Sequence, residues 1–195
     1  MDKFLELRKA LEGGREKQAL ELFNHLYDRK KEFHALFRQF ALVAAQHTPR
    51  GRELHAFLPL NAALQSMQFL RTGEEVALMV RRLVQYLCAV EKTGELETWT
   101  GEEDFRAHAA ELVRGSGYAL EKNPRAFVFN AAVKELADYV GAPEAYHLLP
   151  LMGKAKAEAP EKTRTPKKEA DAVLLDAAAR GEGVLANALL KTRRL

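Results

Sequence analysis

The sixteen residues from His55 to Leu70 place apolar side chains on nearly every face of a helix, with Phe57, Leu60, Leu64 and Met67 at spacings of 3, 4 and 3. A helix that is apolar almost all round needs neighbours on every side, so it belongs in the middle of a bundle. The stretch predicts a central helix from about 52 to 71. Pro59 lies inside that span and lacks a backbone donor, so either the helix kinks there or it begins near Pro59.

The rest of the chain can supply the neighbours. Phe4, Leu7 and Leu11 share a stripe over 2–12, which Gly13-Gly14 stops. A second helix over 15–28 would bury Ala19, Leu22, Phe23 and Leu26. A third over 31–47 aligns Phe33, Phe37, Phe40, Ala44 and His47 at spacings of 4, 3, 4 and 3. Thr72-Gly-Glu-Glu75 reads as a capping box opening a fifth helix, and Thr100-Gly-Glu-Glu103 repeats that signal for a sixth running to Arg114, where Gly115-Ser-Gly117 ends it. Pro124 starts a seventh helix, to about 140, and Gly141-Ala-Pro143 introduces an eighth that ends near Gly153. No segment alternates with period two for long enough to be a strand. The expected fold is all-α: a repeat-like, pseudo-duplicated bundle of about eight helices, plus a C-terminal helical hairpin on a basic linker.

Composition divides the chain in three. Residues 1–153 form the bundle. Residues 154–169 hold six basic and three acidic residues, two prolines and no large apolar side chain, so burial cannot offset their ordering entropy and they read as a linker. Residues 170–195 read as two short helices flanking Gly181-Glu-Gly183, with Val173, Leu174, Val184, Leu185, Leu189 and Leu190 on an apolar side that must dock somewhere.

A weak duplication relates Asn61-Ala-Ala-Leu64 to Asn130-Ala-Ala-Val133, and would make each half a unit of three helices. Asn61 and Asn130 sit at matching places among apolar neighbours. A buried amide must find partners, so a structural role is the preferred reading for both.

The net charge of +3 is too small to argue for nucleic acid. The basic linker could meet a few phosphates, but acids interrupt it and no aromatic residue is there to stack on bases. The single cysteine, Cys88, fits a reducing compartment and reads as an inert small hydrophobe. The charged first residues lack a signal-peptide pattern, and no run approaches a membrane span, so a cytoplasmic protein without membrane association is the expectation. Phosphate loops, dinucleotide fingerprints, Cys-x-x-Cys pairs and serine elbows are absent from the sequence.

Six histidines are the best raw material for a site. A tight turn between helices would bring His47 and His55 together, and Glu144-Ala-Tyr-His147 sets a carboxylate and an imidazole on one helical face. His47, His55, Glu144 and His147 are therefore the candidate metal ligands, although dinuclear bundles use two Glu-x-x-His pairs and this chain has one. No other cofactor is expected. The preferred functional reading is a non-enzymatic scaffold that binds a protein partner or itself. The alternatives are a small enzyme or sensor with a histidine-lined pocket, and a nucleic-acid binder using the tail.

Overall fold

The computed structural model describes residues 2–27, 33–47, 56–92, 95–118 and 124–152. The linker, the C-terminal hairpin and His55 lie outside these residues. The described chain is all-α, with helices α1 Lys3–Glu12, α2 Glu16–Tyr27, α3 Phe33–Ala45, α4 Phe57–Ser66, α5 Gly73–Ala89, α6 Phe105–Tyr118 and α7 Pro124–Val140. Two 3-10 turns, Met67–Phe69 and Glu144–His147, follow α4 and α7, and a last helical turn covers 149–152.

Local chemistry sets several of these boundaries. Asp2 caps α1 by accepting the Phe4 N–H at 2.9 Å. The Thr72 hydroxyl accepts the Glu75 N–H at 3.2 Å while the Glu75 carboxylate accepts the Thr72 N–H at 3.0 Å, so the predicted capping box forms. Pro59 falls in the first turn of α4, where its missing N–H would have had no helical partner. Of the two outcomes expected for that proline, the later helix start is the one found.

The helix at the centre is α3, not the 55–70 stretch. Leu36, Phe37, Phe40 and the whole run Ala41–Ala45 are buried, and α3 packs on α1, α4, α5 and α7. Its alanines are small enough to admit helices on several sides, while its phenylalanines fill the space between them. An aromatic chain runs through it, with ring centroids 5.5 Å apart for Phe33–Phe37, 5.7 Å for Phe37–Phe40 and 5.8 Å for Phe37–Tyr139. In α4, by contrast, only Phe57, Leu60, Asn61 and Ala63 are buried, and the stretch ends with Phe69 in solvent. Helices α1 and α2 close one side of α3 together with α5. Helices α4 and α7 close the other, with α6 packed on α7.

Two boundaries depart from expectation. Thr100–Asp104 is not helical, and α6 starts at Phe105 with the Asp104 carboxylate accepting the Arg106 N–H at 3.3 Å. The same helix continues through Gly115-Ser-Gly117 to Tyr118. Gly117 lies against the Phe127 ring of α7, and Ser116 is buried with its hydroxyl bonded to the Val113 carbonyl at 2.8 Å. Packing on α7 outweighs the low helix propensity of two glycines. The eighth helix starts as the 3-10 turn, after Gly141 ends α7 with φ +70°.

Asn61 and Asn130 lie at the same depth, 0% and 1% exposed, on α4 and α7, which pack together. The elements that the matching glycines introduce differ: Gly73 opens a 17-residue helix, whereas a four-residue 3-10 turn follows Gly141.

Candidate functional site

The predicted ligands are spread over different structural tasks. His47 is buried just past the end of α3, and its Nδ1 accepts the backbone N–H of Ala56 at 3.0 Å. An accepting Nδ1 carries no proton, so the backbone of Ala56 already occupies the lone pair a metal would need at that nitrogen. Glu144 and His147 lie on one 3-10 turn but engage different elements. The Glu144 carboxylate is 3.3 Å from Arg38 Nε on α3. The His147 Nδ1–H donates to the Glu97 carbonyl at 3.0 Å and lies 3.2 Å from the Thr98 hydroxyl. Among the described residues, no three His, Cys, Asp or Glu side chains come close enough together to hold a metal ion. The concavity over the first turn of α2, about 470 Å³, is lined by Arg15, Glu16, Lys17, Gln18 and Glu21 and includes no histidine.

The residue that organises Glu144 is Arg38, which the sequence reading did not single out. Its guanidinium donates to the Val140 carbonyl at 2.9 Å and to the Ala142 carbonyl at 3.0 Å. One turn earlier on α3, the His34 ring donates to the Tyr139 carbonyl at 2.7 Å. Two side chains of α3 thus satisfy the orphan carbonyls at the end of α7, where a cation also suits the helix dipole. The signal in the sequence was the i, i+4 pair His34/Arg38 on the polar side of an otherwise oily helix.

Asn61 clamps a helix through a side chain rather than through backbone. Its Nδ2 donates to Glu135 Oε2 of α7 at 3.1 Å, and Gln65 Nε2 donates to the same oxygen. That carboxylate fixes which way the amide faces, since the reverse orientation would set oxygen against oxygen. Oδ1 of Asn61 is consequently a buried acceptor without a partner, and so is Oδ1 of Asn130. Each amide oxygen is a local cost that the packing of α4 and α7 has to outweigh.

At the C-terminus of α5, Lys92 Nζ donates to the Val90 carbonyl at 2.8 Å, and burial pulls its ammonium below the usual lysine range. Burial pushes the neighbouring Cys88 thiol up, against the pull of Lys92, which fits an inert sulfhydryl.

The most distinctive surface is the segment 95–104. Its backbone is pinned by the Trp99 N–H donating to the Tyr146 carbonyl at 2.8 Å, beside the His147 contacts. The Trp99 indole stacks on His108, with centroids 5.2 Å apart and planes at 26°. Tyr146 and Phe105 extend the cluster, and the Arg106 guanidinium lies 4.8 Å from the Phe105 ring centroid. His108 Nδ1 donates to Glu103 at 2.6 Å. Five carboxylates flank the single tryptophan of the chain, a pattern legible in the sequence but not used.

Comparison with known protein families, with curated proteins and with solved structures finds no match for this chain.

Proposed function

We propose that this chain is a helical protein-interaction module whose first occupant is a second copy of itself. The observation that supports this is Phe69. It is 76% exposed on the short 3-10 turn that ends α4, and Leu78 of α5 is 57% exposed. A large aromatic side chain standing in solvent has apolar area to bury when it meets a partner, and aromatic anchors of this kind dominate interface energies. Scattered apolar residues are normal on surfaces, so the burden falls on Phe69, the most exposed large apolar side chain among the described residues.

The test is sedimentation equilibrium on the full chain and on Phe69→Asp. The unaltered chain is expected to exceed its 21.9 kDa monomer mass with rising concentration, and the variant to stay at it. A chain that remains at monomer mass at every concentration, with the variant indistinguishable from it, argues against the reading. No helix among the described residues is long and apolar enough to cross a membrane.

A further inference from the structure

Among the described histidines, His47 differs in both burial and bonding role. It is buried, and its Nδ1 accepts the Ala56 N–H. A backbone N–H only donates, so the ring nitrogen that meets it is the unprotonated one. His34 and His147 instead face the carbonyls of Tyr139 and Glu97, and His108 faces the Glu103 carboxylate. Those three rings donate, so an imidazolium keeps each of these bonds. His25 meets Lys3 Nζ, but on the open surface, where water replaces the contact. At His47 a proton on Nδ1 and a buried bond exclude each other.

That bond holds the start of α4. Ala56 stands at the N-cap position with no side chain able to close the first turn, and its carbonyl accepts the Leu60 N–H at 3.3 Å. Ala56 is fully buried, so its N–H has no water to turn to once the ring lets go. The next residue, Phe57, is also fully buried, with its ring 6.0 Å from that of Phe129 on α7. A neutral imidazole thus ties the end of α3 to the start of α4, and its release bears on the packing of α4 against α7.

Ionisable groups reach this end of the bundle from several elements. Glu12 ends α1 and accepts from Arg8 and from Gln46, the neighbour of His47. Lys92, which forms a β-bridge with His47, lies beside the Cys88 thiol of α5 and donates its Nζ to the Val90 carbonyl at 2.8 Å, and Glu91 next to it is exposed. Glu135 of α7 accepts from Asn61 of α4, and the first turn of α4 carries no ionisable side chain. The Glu12 carboxylate favours an imidazolium and the Lys92 ammonium opposes it, but neither restores an acceptor at Nδ1.

We propose that His47 is a proton-sensitive latch: its neutral ring holds the start of α4 on the end of α3, and protonation releases it. The unfolded chain takes up this proton freely, whereas the folded chain does so only by giving up the bond, so the hold on α4 weakens as pH falls. The inference does not rest on the self-association reading, because the bond lies within one chain.

In the full chain, hydrogen-exchange protection of the Ala56 amide is expected to fall about tenfold between about pH 7.5 and about pH 5.5, a window that spans the ordinary histidine value of ~6.5. His47→Asn offers an amide oxygen near the place of Nδ1 and does not titrate, so its protection should stay constant across the window. His47→Phe has no acceptor and should give low protection at both ends. In the unaltered chain, the nitrogen chemical shift of His47 Nδ1 should report proton uptake at the same midpoint as the loss of Ala56 protection, a readout that needs no variant. Constant protection in the unaltered chain, two separate midpoints, or a pH dependence retained in His47→Asn would each overturn the proposal.

Discussion

A single added methyl group at Gly101 would test the arrangement around Trp99. A Cβ built there falls 2.2 Å from Cζ2 of the indole, a distance no real contact tolerates. The ring is held by His108 and Tyr146, so it cannot yield without losing those contacts. Gly101→Ala is expected to shift Trp99 emission to the red and to lower stability by on the order of 1 kcal/mol. Unchanged emission would sink this placement of the indole. Residue identity alone hinted at the buried amides but not at their partners. Asn61 meets Glu135, 74 positions away, because α4 packs on α7. Glu144 and His147 illustrate the same limit. Their spacing was legible, yet Arg38 claims one side chain and the Glu97 carbonyl the other.

At the scale of elements, Thr-Gly-Glu-Glu occurs twice and caps a helix once. At Thr72 the reciprocal bonds form. At Thr100 the indole lies over Gly101, Glu103 turns to His108, and Asp104 supplies the bond to the Arg106 N–H. Thr72→Ala should therefore cost about 1 kcal/mol, and Thr100→Ala close to nothing, by urea unfolding. The box also carries a pH signature. The N–H of Arg71, then that of Thr72, holds the Glu75 carboxyl below its ordinary value of 4.5. A folded pKa below the unfolded one contributes stability above the unfolded value, and that contribution is lost as pH falls through the folded value. Glu75→Gln should accordingly flatten the decline in melting temperature below about pH 4.5. An unaltered slope would mean that the carboxylate does not make these bonds in solution.

For the whole molecule, the consequential result is which helix ended up inside. Phe40 is fully buried in α3, whereas Leu64 of α4 is only partly covered. Phe40→Ala is expected to cost about 3–5 kcal/mol and Leu64→Ala well under half of that, by the same unfolding measurement. Equal costs would contradict the exchange of roles between α3 and α4. The stripe Phe33, Phe37, Phe40, Ala44 and His47 was visible as a periodic pattern, and Phe37 through His47 of it are buried. Visible too were the extents of α1, α2 and α7, which the apolar stripes, the Gly13-Gly14 break and the Pro124 start marked.

Local chemistry in the sequence by itself determined the helical class, most helix limits and the Thr72 cap, since each depends on residues within one or two turns of one another. Only the tertiary structure decided that α3 is the enclosed helix, that α6 runs on through its glycines, and that the second Thr-Gly-Glu-Glu stays unwound. In each of these the energy comes from surfaces apart in the chain: α1, α4, α5 and α7 around α3, Phe127 of α7 against Gly117, and Tyr146 against Trp99. Local propensity differs by about 1 kcal/mol between such alternatives, and packing of that extent outweighs it.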